Sequence, residues 1–369
     1  MPISPVRYAL FARRVIDGTR RVAASVAVAV LAANCSGARE DGVADGTSDG
    51  SDATPEPKTL IPHPSWTCGM PGGIPPPEAG TPLFEVSFTL GQIHDVGVTQ
   101  YGQRYLTEIK GGTAKGQRID ARVLERGLDW ELVLSNGAIE VEQVNILQTS
   151  DGVNIYFRNC GVAPDASGTV RVVPDFEAPN ASAYAWLNTG KFAGTRVLDR
   201  QKRTLTMTIY DVSSVVPSGD TLSIVEPAGL PDQSWDCKAA SGTRGTVAFT
   251  ESVGIGAGSI SVGASKRGTR SIIPITGGSA SGRVSGGVLS GGADYQLRAS
   301  SFSLDARYTV RTTDGVLILI RNCGPLGALV PVFETRADGP YAWLNAGRWL
   351  SADPQIAPGA VNITIYQAN

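Results

Sequence analysis

Apolar and polar positions alternate along this chain in short runs, and the runs come in two matching sets. In "LTMTIY" Leu205, Met207 and Ile209 alternate with Thr206, Thr208 and Tyr210. In "VNITIY" Val361, Ile363 and Ile365 alternate with Asn362, Thr364 and Tyr366, and "VNIYFR" sets Val153, Ile155 and Phe157 on one side. A period of two, broken by Gly, Asp-Gly and Asn turns, predicts antiparallel strands with one face on a core. "VLILI" (Val316 to Ile320) is apolar on both faces and predicts a central or doubly covered strand. No stretch after residue 60 carries a helical period. Many short strands of this kind imply a sandwich or a closed barrel.

The amino-terminal part is patterned differently. Arg13, Arg14, Arg20 and Arg21 precede an apolar run from Val22 to Ala33. That run is shorter than the ~20 residues of a membrane-spanning helix and fits a secretory signal. Its end, Leu31-Ala32-Ala33-Asn34-Cys35, resembles the lipobox of bacterial lipoproteins, and that resemblance implies lipidation of Cys35. Asn34 departs from the small residue usual before that cysteine. Ser36 to Lys58 has almost no large apolar side chain and reads as a flexible acidic tether. The expectation is a signal over 1–35, a disordered tether over 36–62, and a lipid on Cys35 holding the protein to the membrane of a bacterial cell envelope. A plain cleaved signal, giving a soluble secreted or periplasmic protein, is the alternative.

Beyond the tether the chain repeats itself. "PSWTC" (Pro64 to Cys68) matches "QSWDC" (Gln233 to Cys237), and "GQRYLTEIKGGTAKG" (Gly102 to Gly116) matches "GTRSIIPITGGSASG" (Gly268 to Gly282). "RGLDWELV" matches "GGADYQLR", "TSDGVNIYFRNCG" matches "TTDGVLILIRNCG", and "PDFE" matches "PVFE". "YAWLN" occurs at Tyr184 to Asn188 and again at Tyr341 to Asn345. The order never changes, so this is a tandem duplication. Units of this size are domains, not solenoid repeats. The predicted architecture is all-β, two tandem antiparallel barrels over 63–213 and 233–369 with a linker over 214–232.

Chemistry-bearing residues are sparse. There are only 2 histidines, His63 in "IPHP" and His94, which gives little ground for a Ser-His-Asp triad or a histidine-rich metal site. The net charge of −2 comes without a basic stripe, so nucleic acid is not an expected partner. The pairs Gly111-Gly112 and Gly277-Gly278 suit tight turns or bulges, and no phosphate-loop motif opens a helix. Neither a cofactor nor a metal is expected. Apart from Cys35, the cysteines are Cys68, Cys160, Cys237 and Cys323, two at matched positions in each repeat. In an exported chain this reads as disulfides, and pairing within each repeat (Cys68 with Cys160, Cys237 with Cys323) lets each domain close by itself.

Taken together, "GGTAKGQRIDARVLERGLDW", "DGVNIYFRNCG", "FEAP" and "YAWLN", with "GGSASGRVSGGVLSGGADY", "LDARYTVRTTDG" and the second "YAWLN", resemble the DUF3237 family, also called UPF0311. The resemblance covers nearly all of 85–212 and 250–367. It implies small antiparallel β-barrels and a candidate pocket, but no reaction, so the catalytic residues stay unknown. The family's recurrent polar and aromatic positions fall here on Asp129, Trp130, Glu177, Trp186 and Asn188, and in the second copy on Asp294, Tyr295, Arg307, Glu334, Trp343 and Asn345. Val144 stands where the second copy has Arg307, and Tyr295 departs from the family form Asp-Trp, which Trp130 keeps.

A carboxylate near Trp in a partly apolar cavity can have a raised pKa and act as acid or base, while Trp offers a face for a ring or sugar. Structural readings also stand beside these: Trp as a core plug, Asp as a turn cap, Glu as the partner of an arginine on a neighbouring strand. The leading expectation is a surface-anchored protein binding a small apolar, aromatic or glycan ligand. The alternatives are an acid–base isomerase, lyase or hydrolase using Asp129 with Glu177 or Asp294 with Glu334, and a structural or interaction module without a small ligand.

Overall fold

A computed structural model describes residues 73–166, 169–216, 219–230 and 237–369. The expected signal, Cys35, the tether, His63 and Cys68 lie outside the described residues. The rest is nearly all strand, as the alternation predicts.

The first repeat contains β1 (Thr81–Val98), β2 (Gln103–Gly116), β3 (Ile119–Val123), β4 (Leu128–Val133), β5 (Ile139–Thr149), β6 (Asn154–Ala163), β7 (Val170–Glu177), β8 (Phe192–Asp199) and β9 (Thr204–Asp211). Each strand pairs antiparallel with its neighbours in the order β1-β9-β8-β7-β6-β5, then β3 and β4, then β2, which returns to β1. The sheet therefore closes into a barrel and leaves no edge. Inward residues include Phe84, Phe88, Phe157, Phe176, Leu205 and Met207, all buried.

Closure needs sharp corners, and glycine supplies one. Gly112 has φ +149, and a Cβ there would lie 2.0 Å from the Ser87 carbonyl oxygen. The ladder between β1 and β2 shifts register beside it, after Thr89. Gly278 repeats the arrangement with φ +134 and 2.1 Å to the Ser252 oxygen. The Gly-Gly pairs are thus bulge positions.

The second repeat contains β10 (Arg244–Ile255), β11 (Ile260–Ser265), β12 (Gly268–Gly282), β13 (Gly286–Val288), β14 (Ala293–Arg298), β15 (Phe302–Thr312), β16 (Leu317–Pro325), β17 (Val330–Glu334), β18 (Trp349–Ser351), β19 (Gln355–Ala357) and β20 (Ala360–Ala368). Its sheet curls the same way, and its ends β17 and β18 meet through the Ser351 N–H donating to the Leu329 carbonyl at 3.0 Å. Its core holds Phe249, Tyr308, Phe333 and Trp349. β16 is buried on both faces from Leu317 to Ile320, as "VLILI" predicts.

Cys237 and Cys323 form the expected bridge. Cys160 is also disulfide-bonded, and its expected partner Cys68 lies outside the described residues. The described part of the connector packs back on the first barrel: Ile74 bridges Leu222, and Ile224 joins Ile74, Leu132 and Val212 in one buried cluster. Each YAWLN contributes a single helical turn, Ala185–Asn188 in the first copy and α1 (Trp343–Ala346) in the second. One turn is too short to leave a period in the sequence.

Candidate functional site between the repeats

The residues expected to form one site fall in three places. YAWLN closes one end of each barrel. The Asn188 amide accepts the Ala178 N–H at 2.8 Å and donates to its carbonyl at 2.9 Å, and Asn345 does the same with Thr335 at 3.0 and 2.9 Å. Tyr184 donates to Asp151 and Tyr341 to Asp314. Leu187 and Leu344 are buried. Trp186 meets the edge of Phe192, and Trp343 that of Trp349. Arg118 and Arg283 lie over the outer faces of the two tryptophans at 4.1 and 3.7 Å. Trp186, Asn188, Trp343 and Asn345 are thus engaged in closing the barrels, which matches the core-plug reading of the motif.

Asp129 points into the first barrel. Its carboxylate takes both arms of Arg196 from the opposite side, one of them at 2.9 Å, and both residues are buried. Arg200 caps the neighbouring Glu131. Asp294, the counterpart in the second barrel, has no arginine partner among the described residues and accepts instead from Gln296 and from the Asp305 N–H. Burial raises its pKa to about 6.

Glu177 and Glu334 point out of their own barrels and onto the outer face of the other repeat. Glu177 accepts from Arg270 at 2.9 and 2.7 Å, Arg267 at 2.8 Å and the Ser265 hydroxyl at 2.6 Å, all from the second repeat. Glu334 accepts from Arg104 at 2.7 Å and the Thr99 hydroxyl at 2.6 Å, both from the first. Arg104 matches Arg270 in the repeat alignment, and Thr99 matches Ser265. Backbone bonds follow the same rule, with Asn180 N–H to Ala264 and Ala337 N–H to Val98. The repeats therefore meet as the halves of a symmetric dimer do, around a pseudo-twofold axis. Burial would raise the Glu177 pKa, but Arg270 and Arg267 outweigh it and hold it at about 2. Each glutamate pairs with arginine, but the arginine belongs to the other repeat and not to a neighbouring strand. Sequence reading missed Arg104 and Arg270, although their matched places in "GQR" and "GTR" marked them.

The two halves of this interface are not equivalent. In one, Tyr295 packs on Tyr156 with ring centres 5.6 Å apart, among Ile272, Val262 and Ile146. Arg267 plugs its end by binding Asp175 at 2.7 Å as well as Glu177. In the other half Trp130 stands where Tyr295 would, Tyr101 stands where Arg267 would, and a cavity of about 130 Å³ remains. Its walls include Tyr101, Arg104, Trp130, Glu142, Arg307 and Glu334. Arg307 lies 5.5 Å over the Trp130 ring and is bound by Asp305 at 3.0 Å and by Glu142. Its counterpart Val144 lies in the sealed half.

A second cavity of about 170 Å³ opens farther along the Trp130 half, beside His94, Glu108 and Arg311. Its matched place on the sealed side holds about 10 Å³. Burial and Arg311 both lower the His94 pKa. The structure thus brings together Trp130, Arg307 and Glu334, and leaves Asp129, Asp294, Glu177, Tyr295 and the YAWLN residues elsewhere.

Fold and interface define a duplicated antiparallel β-barrel protein whose repeats pack face to face. The family described as "protein of unknown function (DUF3237)" matches residues 79–215 and 244–328, and the chain belongs to it. A UPF0311 protein of Rhodopseudomonas palustris is 31% identical over 80 residues, which are 22% of this chain and 52% of the relative. The chain thus spans about half the length of that curated relative. Among solved structures, it is similar to a conserved protein of unknown function from Rhodopseudomonas palustris (25% identity, 36% of this chain and 95% of that one, TM-score 0.32). It is also similar to a β-barrel-like protein from Acinetobacter baumannii (24% identity, 36% and 94%, TM-score 0.33).

Proposed function

We propose that this is an exported binding protein, anchored by a lipid on Cys35 at the bacterial cell envelope, whose ligand is a single ring held against Trp130 between the repeats. The carrying observation is the asymmetry of the interface. A duplicated contact has been sealed on one side by Tyr295, Tyr156 and Arg267 and kept open on the other. A cavity of about 150 Å³ holds benzene, so about 130 Å³ limits the ligand held inside to a single small ring. Trp130 supplies the stacking face, and Arg307, Arg104, Glu142 and Glu334 supply hydrogen bonds at its rim. Binding is favoured over acid–base catalysis by Asp129 and Glu177, because Asp129 is locked to Arg196 and Glu177 is ionised far below neutrality. The Cys237–Cys323 bridge supports an oxidising location, and with it export.

The test is a thermal-shift and calorimetric screen of one-ring compounds (phenols, benzoates, a pyranose) on the intact protein. A true ligand is expected to lose about tenfold or more in affinity in Trp130→Ala. Trp186→Ala, at the barrel end, is expected to bind as the wild type does. Equal binding by Trp130→Ala, or loss in Trp186→Ala alone, would move the site away from the interface.

A further inference from the structure

The two barrel interiors differ in charge. In the first, Asp129 is neutralised by Arg196 on β8. In the second, the aligned place is Asp353, whose carboxylate is taken by the Gly327 N–H at 2.7 Å. Glu251 replaces Val86, since the two face Ala280 and Ala114 at the same register. Asp294 keeps the place of Asp129 and lies across the ladder from Ala306, two residues before Tyr308. The Tyr308 hydroxyl donates to Glu251 Oε2 at 2.6 Å. One inward row of the second barrel therefore carries two carboxyl groups, and among the described residues no cationic side chain bonds either of them.

In the second barrel the polar atoms left over are acceptors, and one of them, on Asn322, has an unpartnered equivalent on Asn159 in the first. Glu251 Oε1 and Asn322 Oδ1 are buried acceptors with no donor among the described residues, while the Asn322 amide nitrogen is fixed to the Ser351 hydroxyl at 2.9 Å. Glu251 is 3% exposed and Asn322 2%. Buried acceptors without donors are costly, and the one on Glu251 is peculiar to the second barrel, since the first has Val86 there. Among the described residues no group of three or more His, Cys, Asp or Glu could hold a metal ion. Asp294 and Gln296 are partly exposed, which gives the row an opening.

We propose that the interior of the second barrel binds a small organic cation, a primary ammonium or guanidinium group, which takes the part that Arg196 plays in the first barrel. Asp294 is its entrance and counter-ion, and Glu251 and Asn322 are its inner acceptors. This site is separate from the cavity beside Trp130 and does not depend on it. Without the cation both carboxyl groups retain their protons unusually high, Glu251 to about 7 and Asp294 to about 6, each because burial penalises the charge. The nearest further charge, Asp305, is engaged by Arg307 and Arg321.

Butylamine, agmatine and methylguanidine are the probes, titrated into the intact protein by calorimetry with thermal shift as a second readout. Binding is expected to tighten about tenfold or more between about pH 5.5 and 8, because the cation needs ionised carboxylates. Asp294→Asn is expected to weaken it at least tenfold, Glu251→Gln to flatten its pH dependence above about pH 6.5, and Trp130→Ala to leave it unchanged. Absence of binding by all three probes, or binding independent of pH in the wild type, overturns the assignment even if neither carboxyl variant folds. Loss of binding in Trp130→Ala would equally overturn it, by placing the probes in the interface cavity.

Discussion

Glu251 is a buried acid whose ionisation works against the second barrel near neutral pH. Burial lifts its pKa from 4.5 to about 7, and the Tyr308 hydrogen bond offsets only part of that rise. The folded chain therefore binds this proton more tightly than the unfolded chain. Stability from this group is full below the unfolded value and falls as pH rises from 4.5 to about 7. Asp294 acts in the same direction between 3.8 and about 6. Glu177 acts oppositely: its lowered pKa stabilises above 4.5, and that contribution is lost as pH falls toward about 2. The expected outcome is a melting temperature that declines from about pH 5 to 7.5 in the absence of ligand. Glu251→Gln removes the ionisable group and is expected to flatten that decline. A wild-type slope that persists unchanged in the variant would assign it to other groups. Glu251 was legible in principle. In "FTESV" it stands between Phe249 and Val253 on the apolar face, where the first repeat has Val86. Asp129 and Asp294, by contrast, align perfectly, and the difference between them is legible only at the partner position, where Arg196 in the first repeat aligns with Asp353 in the second.

Strands, corners and the order of the motifs were readable because each depends on local chemistry. Alternation places side chains on two faces, and paired glycines permit the backbone of β2 and β12 to approach β1 and β10. The YAWLN turns were readable only as a marker, since one helical turn has no period. Their role rests on an asparagine that imitates a strand partner for residue 178 or 335, offering an acceptor to its N–H and a donor to its carbonyl. Asn188→Ala is expected to strand both backbone groups and cost about 1–3 kcal/mol. Urea denaturation would register this as a lower midpoint with an unchanged slope. Asn188→Asp keeps the acceptor and loses the donor, so it is expected to fall on the destabilised side as well. A neutral Asn188→Ala would return the repeated pentapeptide to a role outside the fold. Gly190 adds to the constraint, because a Cβ there would come within 2.2 Å of the Phe192 ring.

At the scale of the molecule, the duplication explains why Tyr156 on β6 and Leu317 and Leu319 on β16 are buried outside their own barrels and why two glutamates leave theirs. A contact between repeats could not be read from the alternation of one strand, because a buried outer face looks the same whether a helix, a loop or a second barrel covers it. The reciprocal ion pairs then decide how firmly the repeats are joined. Glu177 is fully buried and answers two guanidinium groups, whereas Glu334 is 13% exposed and answers one. Removing one member of a buried pair leaves its partner uncompensated and typically costs about 3–5 kcal/mol. Glu177→Ala is therefore expected to destabilise more than Glu334→Ala, because it leaves Arg267 and Arg270 without it at the sealed side. Since each substitution strikes the docking of the repeats and neither strikes a barrel core, the double variant is expected to separate the unfolding of the two barrels. Differential scanning calorimetry should then resolve two transitions where the wild type gives one. A single transition that moves down in temperature without splitting would mean that the apolar faces around Tyr295 and Trp130 couple the barrels by themselves.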